Sequence, residues 1–356
     1  MANFTFLDPT GFNLSGNRIL PSLGVTTMRI TCDNIPWIYT NYPEKIVNET
    51  VDGLLPPLGD NDYFLNQQTI DDTAAIFFSH TNGTGRVLKY GVQIYNNNAS
   101  SITVTRNNCG FSQGWGLDSE TVTNYFDTDG RKYTLRSGAS AWILSEEIDS
   151  GKCFSGMIHI STTAPVVVTL YAYFDLSALT GYAVAYPFVD GQKVYSGRGE
   201  GFFNYFTHGT VKVSDLPYRC TTNRCKDGYL NINEIIPIHL IGSDMIASVN
   251  NPQYHNLGNW CAQNYHSIRL TNDTSSQVTI YGYFSANQVD SNGAGNVPVI
   301  NCGGILKTSK LNSDTGYYTW RWCRITLAAG ESYDLSFQHI LSSNGRSSSL
   351  LEWSLA

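Results

Sequence analysis

Short runs of Val, Ile, Thr, Tyr and Phe with an apolar residue at every second position recur along the whole chain, separated by clusters of Asn, Gly, Asp and Ser. A period of two puts alternate side chains on opposite faces of an extended strand, whereas a helix needs a period near 3.6. The pattern predicts strands at Val25–Cys32, Val87–Tyr95, Ile102–Arg106, Lys132–Leu135, Met157–Ile160, Val166–Tyr173, Ser267–Leu270, Val278–Phe284, Tyr317–Ile325 and Ser332–Phe337. Clear helical periodicity is absent. Asp129-Gly130, between Tyr125-Phe126 and Tyr133, reads as the type I′ turn of a hairpin. Short strands at this spacing point to antiparallel sandwiches.

A faint repeat refines the picture. GVQIYNNNASSITV aligns with SIRLTNDTSSQVTI at a constant offset: Val92, Ile94, Asn96, Ile102 and Val104 fall opposite Ile268, Leu270, Asn272, Val278 and Ile280. Further on, LRSGAS (Leu135–Ser140) resembles LAAGES (Leu327–Ser332), with Gly138 opposite Gly330 and a larger offset. The difference implies an insertion in the second copy, near Asp290–Val297. A chain of 356 residues suits two domains of ordinary size. The expected fold is therefore all-β: two tandem antiparallel β-sandwiches, jelly-roll or Ig-like, over residues 1–178 and 179–356, the second opening with an aromatic and Gly-rich segment.

Composition narrows the function. Charged residues are only 14% of the chain, aromatics reach 13%, and the formal net charge is −7. No basic cluster exists to release counterions from a polyanion, so nucleic acid is an unexpected partner. The longest apolar run, Val166–Phe174, is far short of a membrane span and carries Thr169 and two tyrosines, so no membrane insertion is expected. The start, MANFTFLDPTGFNLSG, has neither the basic nor the apolar region of a secretory signal. The low-charge, Asn/Ser/Thr-rich surface nevertheless fits an extracellular, cell-surface, particle or spore-surface location.

Eight cysteines without C-x-x-C spacing favour disulfides over metal. Cys220 and Cys225 close the small loop CTTNRC; Cys109 with Cys153, and Cys302 with Cys323, are the other expected bridges.

Motifs for catalysis are missing: there is no G-x-S-x-G, H-E-x-x-H, P-loop or dinucleotide glycine pattern. Asp127, Asp129, Glu146 and Glu147 could supply a glycosidase pair, but as turn and strand-end carboxylates they read as solvated. Asn223–Glu234 overlays a calcium loop, with Asn223, Asp227, Asn231 and Glu234 as ligands, but Cys225 stands where an oxygen is wanted and Pro237 stops the following helix. Possible Ca2+ here, or at Asp60-Asn61-Asp62 and Asp71-Asp72, is the one cofactor considered; otherwise none is expected. His255, Cys261 and His266 are loosely spaced like metal ligands without a fourth partner, while His80 and His159 read as half-buried strand positions.

Aromatics give the better lead. Tyr182, Tyr186, Phe188, Tyr195, Phe202, Phe203, Tyr205 and Phe206 crowd one Gly-rich segment. Exposed rings beside Asn and Asp suit the stacking of pyranose rings, and the same residue types populate interface centres. Tyr195, Phe202, Phe203, Tyr205 and Phe206 are the expected ligand or interface residues. The reading is a non-catalytic structural or adhesive surface protein whose partner is itself or a surface glycan. Its alternatives are a carbohydrate-binding, lectin-like adhesin and, behind that, a polysaccharide-active enzyme. The N-terminal MANFTFLDPTGF, short and alternating, could serve as a strand donated to the exposed sheet edge of a neighbouring copy, a route to a filament or shell.

Overall fold

A computed structural model of the chain describes residues 2–9, 29–32, 35–40, 45–47, 63–114, 119–174, 196–199, 204–216, 218–223, 261, 263–286, 297–311, 319–342 and 349–356. In chain order the elements begin with β1 (Asn3–Phe6), β2 (Arg29–Cys32), β3 (Trp37–Thr40), β4 (Lys45–Ile46), β5 (Tyr63–Ile70), β6 (Thr73–Asn82), β7 (Leu88–Tyr95) and β8 (Ile102–Gly114). Helix α1 (Glu120–Asp127) precedes β9 (Arg131–Leu135), β10 (Ser140–Ile148), β11 (Cys153–Thr162), β12 (Val166–Tyr173) and β13 (Ser196–Gly199). The remainder comprises β14 (Asn204–Lys212), β15 (Tyr218–Asn223), β16 (Gln263–Thr271), β17 (Val278–Ala286), β18 (Pro298–Cys302), β19 (Ile305–Thr308), β20 (Thr319–Leu327), β21 (Ser332–Leu341) and β22 (Ser349–Leu355).

The protein is all-β, and its described strands form four sheets. Two of them, β10-β7-β12-β5 and β13-β3-β6-β11-β8-β9 with β4 beside β6, contribute side chains to one buried cluster that includes Ile76, Phe78, Tyr90, Val92, Ile94, Ile158, Val168 and Leu170. The other two, β1-β20-β17-β22-β15 and β19-β18-β21-β16-β14-β2, contribute to a second cluster built around Trp320, Trp322, Trp353, Phe284 and Phe337. Most pairings are antiparallel, but β14 lies parallel to β16, and β3 and β4 lie parallel to β6. The chain crosses between the two groups of sheets: β1 pairs with β20 and β2 with β14, whereas β13 returns to pair with β3.

The repeat has a structural counterpart in register. Tyr95 faces Ser140 across β7 and β10, as Thr271 faces Ser332 across β16 and β21. Ile102 faces Leu135 across β8 and β9, as Val278 faces Leu327 across β17 and β20. Between the matched strands the first copy carries α1 and the second carries the β18–β19 hairpin, while residues 290–296 of the expected insertion lie outside the described residues.

A buried asparagine explains why the matched loops share a sequence. Asn96 donates its amide to the carbonyls of Ser100 (2.8 Å) and Leu135 (3.0 Å) and accepts from the N–H of Asn98, while Gly138 N–H bonds its carbonyl. Asn272 does the same with Ser276, Leu327, Thr274 and Gly330. A third copy, absent from the sequence reading, joins Asn82 to Arg86, Ile148, Thr84 and Gly151. All three asparagines are fully buried, and Gly138, Gly151 and Gly330 all have φ between 71° and 80°, a conformation that disfavours a side chain. Each set staples two loops at one end of a sheet pair through one amide.

Two expectations fail. Tyr125 and Phe126 are helical, not strand, because Thr121, Val122 and Tyr125 form a buried stripe that packs on β8 at Gly110, where a Cβ would overlap the Thr121 carbonyl. The second failure is the disulfides. Cys109, Cys153, Cys261, Cys302 and Cys323 are free thiols. Cys109 faces Ile158 on the neighbouring strand, five residues from Cys153, about 16 Å along a strand and far beyond bridging distance. Cys302 points its thiol at the Ser336 carbonyl (3.7 Å), and Cys323 packs beneath Gly282, where a Cβ would come within 2.6 Å of its sulfur. Cys225 and the side chain of Cys220 lie outside the described residues.

Candidate functional site

The outer face of the six-stranded sheet carries the site. Along β16 the sequence QNYHSIRLT alternates, so His266, Ile268 and Leu270 point into the core while Gln263, Tyr265 and Ser267 share the opposite face. Register extends this face across four strands: Phe206 on β14 faces Tyr265, Tyr265 faces Gln338 on β21, and Gln338 faces Asn301 on β18. The next row places His208, Ser267 and Ser336 side by side.

These rows form an open pocket of 390 Å³ lined by His208, Tyr265, Ser267, Asn301, Ser336 and Gln338, with the Gly303-Gly304 turn at its margin. That volume lies within the range of roughly 300–1,000 Å³ typical of small-ligand sites. Phe206 stacks on Tyr265, centroids 5.1 Å apart and planes 14° from parallel. The Asn301 side chain accepts the Gly304 N–H (3.2 Å), which fixes the turn. One row further, Arg269 and Asp334 pair with each other at 3.4 Å on the exposed surface. The described lining holds no carboxylate and no thiol; it offers hydroxyls, amides, the imidazoles of His208 and His266 and the rings of Tyr265 and Phe337.

Behind this floor, in the core, His266 Nε2 and His339 Nδ1 lie 2.9 Å apart, and Phe337 stacks on His266. Burial pushes His266 down to about 3 and His339 well below the ordinary imidazole range, so both are neutral. Beside the pocket the same outer face meets the first group of sheets: Val299 and Ile340 pack with Ala75, Phe77, Val122, Tyr125, Met157 and Cys261. Gln263 donates to the Tyr125 hydroxyl and accepts from the Tyr265 hydroxyl (2.7 Å). Burial raises the Tyr125 phenol and the Cys261 thiol above their ordinary values.

Of the expected aromatic residues, Phe206 reaches this site. Tyr205 has its backbone in β14, but its side chain, like Tyr195, Phe202 and Phe203, lies outside the described residues. Asn223 ends β15, whereas Asp227, Asn231 and Glu234, and the Asp60–Asp62 group, lie outside the described residues, as does His255. Cys261 and His266 are not brought together, since Cys261 packs at the contact between the sheet groups and His266 in the core. Among the described residues no three potential ligands cluster. The four carboxylates also fail to converge. Asp127 closes α1 against β8, whereas Glu147 on β10 points outward to Lys89 (3.9 Å), and burial raises Glu146 while Arg106 lowers it. His159 is half-buried and within 3.2 Å of Thr73 Oγ1, as its strand position predicts; His80 is buried outright between Tyr90 and Phe154.

Tyr265, Gln338, Asn301, Ser267, Ser336 and His208 escaped the sequence reading. Their signal was the polar half of each alternation, visible in QNYHSIRLT and SYDLSFQHIL, but which strands lay side by side was not.

No family model and no curated protein matches the chain. Solved structures give distant similarities. A carbohydrate-binding module, TmCBM61, solved with β-1,4-galactotriose, is 10% identical over 42% of this chain and 89% of its own, with a TM-score of 0.17. Tripeptidyl peptidase 2 is 7% identical over 85% and 24%, with a TM-score of 0.23. The M60 catalytic domain with two CBM51 domains of ZmpB from Clostridium perfringens is 10% identical over 94% and 38%, with a TM-score of 0.15. At these scores none of the three supports an argument about this chain, whose all-β class rests on its own strands. Among the described residues no helix is long and apolar enough to cross a membrane.

Proposed function

We propose that this protein is a non-catalytic surface-binding module that holds a neutral saccharide in the pocket on its six-stranded sheet. The observation that carries the reading is the cross-strand row Phe206–Tyr265–Gln338–Asn301 with His208, Ser267 and Ser336 beside it. A half-buried tyrosine, backed by a stacked phenylalanine, offers a ring to the C–H face of a pyranose, and amides and hydroxyls at strand spacing meet its equatorial hydroxyls. A lining without carboxylates favours an uncharged ligand and binding over turnover, since glycoside hydrolysis needs two carboxyl groups across the bond. The scaffold we infer is two tandem sandwiches, the second completed by β1 and β2 from the start of the chain, working on an extracellular or particle surface. Screening the protein on an array of neutral glycans tests the function: retention of a glycan that Tyr265→Ala weakens at least tenfold is expected. Retention of none, or binding indifferent to Tyr265→Ala, overturns it.

A further inference from the structure

We propose that the pocket's ring is set by the other half of the chain, through a relay from α1, so that Tyr125 and Gln263 are positioning residues for ligand binding. The inference rests on the saccharide reading of the pocket and adds what determines its shape.

Tyr265 stands on β16, two residues from Gln263, so the two side chains share a face and are neighbours along the strand. Gln263 is 5% exposed and Tyr125 2%, so this chain of hydrogen bonds is shielded from water except at the pocket end. Each group has one role. The Tyr265 hydroxyl donates to Gln263 Oε1 at 2.7 Å, and Gln263 Nε2 donates to the Tyr125 hydroxyl at 2.5 Å. A glutamine amide used at both ends cannot rotate without leaving a buried donor or acceptor unmet. Phe206 fixes the plane of the Tyr265 ring by stacking, and the relay fixes where its hydroxyl points. Together they leave the ring one orientation.

Tyr125 is itself held. Val122 and Tyr125 pack with Ala75, Phe77 and Met157 of the first sheets and with Val299 and Ile340 of the second. Thr121 on the same helix exchanges hydrogen bonds with Ser112 (2.5 Å) and Ser155 (2.8 Å). The seat of α1 on β8 and β11 is thus transmitted to a ring about two strand residues beyond the contact. A binding site whose ring is preorganised in this way avoids the ordering cost that a loose ring would add.

Tyr125→Phe keeps the packed ring and removes the acceptor; Gln263→Met keeps the volume and removes both links; Tyr265→Phe keeps the pocket ring and removes its donor. Titrated with the best neutral glycan retained by the unmodified protein, all three are expected to weaken binding three- to tenfold. The Tyr125→Phe, Tyr265→Phe double variant should be no weaker than the worse single one, and Tyr125→Phe, which leaves the buried Gln263 amide without its acceptor, should lower the urea midpoint without changing the far-UV dichroism. Unchanged affinity in Tyr125→Phe and Gln263→Met, with Tyr265→Ala inactive, overturns the relay and leaves the saccharide reading standing. If the unmodified protein retains no glycan, that reading falls alone. The relay is then decided by the 19F resonance of 3-fluorotyrosine placed at 265: a shifted or broadened line in Gln263→Met supports it, and an identical line overturns it.

Discussion

At the scale of single residues, two kinds of buried polar group do different work. Asn82, Asn96 and Asn272 are satisfied on every side, and each carries hydrogen bonds to two loops. Alanine at Asn96 or Asn272 leaves one buried carbonyl, and at least one further carbonyl and one N–H that are partly buried, without a partner, so a loss of about 2–3 kcal/mol is expected in urea unfolding. Asn97→Ala, one residue away and exposed, should stay within about 0.5 kcal/mol. The histidine pair is the opposite case: the two rings bond each other, but His266 Nδ1 and His339 Nε2 are buried without a partner among the described residues, and burial keeps both rings neutral. In the unfolded chain both rings take up protons near pH 6.5, whereas in the folded protein His266 does so only near 3 and His339 well below its ordinary value. The unfolded state therefore binds more protons throughout that interval, and stability falls as pH falls. Stability is complete above about pH 6.5 and declines toward pH 3, by up to about 1.4 kcal/mol per pH unit for His266, with His339 acting in the same direction. Urea midpoints at pH 7.5 and 5.0 should differ accordingly, and a His266→Phe, His339→Leu variant should flatten the difference.

At the scale of elements, α1 and the β18–β19 hairpin occupy corresponding places in the two copies and meet at one contact: Val122 and Tyr125 come from the helix, Val299 and Leu306 from the hairpin. Gly110 is what lets the helix approach its sheet. Gly110→Ala should push α1 off β8, cost about 1–3 kcal/mol and lower the melting temperature followed by far-UV dichroism. This is also where legibility in the sequence ends. Strands such as Val166–Tyr173 and Leu88–Tyr95 were plain from composition and alternation, and the register of the matched copies followed from Asn96 and Asn272. The helix was hidden because a buried stripe at 121, 122 and 125 spans barely two turns and ends on Asp129-Gly130, which by itself signals a hairpin. The cysteine pairs misled because spacing along the chain carries no information about register, and register puts Cys109 and Cys153 far apart. The pocket was half legible. Its residues lie on faces that alternation marks as polar, but the parallel seating of β14 beside β16, which brings Phe206 to Tyr265, joins segments about sixty residues apart through a long-range choice that no local pattern encodes.

At the scale of the whole molecule, the chain's first strand finishes a sheet made otherwise from its last third. β1 pairs with β20 over Asn3–Phe6, lies at the edge of its sheet, and packs Phe4 on Tyr333 and Phe6 on Trp320 and Trp322. Lys307 clips it down, donating to the Phe6 carbonyl (2.9 Å) and Asp8 (2.8 Å) while lying over the Phe6 ring. The segment expected to be donated to a neighbour's sheet instead completes a sheet of its own chain. Taking it away would strip β20 of its outer partner and open a groove over Trp320 and Trp322, both fully buried while β1 is in place. An unpaired edge beside large apolar rings recruits another strand. Deletion of residues 1–9 is therefore expected to shift tryptophan emission to the red, lower the unfolding midpoint by about 1–3 kcal/mol and produce concentration-dependent association in analytical ultracentrifugation. A synthetic ANFTFLDP peptide added to the truncated protein should bind the vacant edge, return the emission to the blue and restore the sedimentation of the full chain. A peptide with both phenylalanines replaced by alanine should do neither, because the strand is held by its rings as much as by its backbone. A truncated protein with unchanged emission and midpoint would show that β20 is covered without β1.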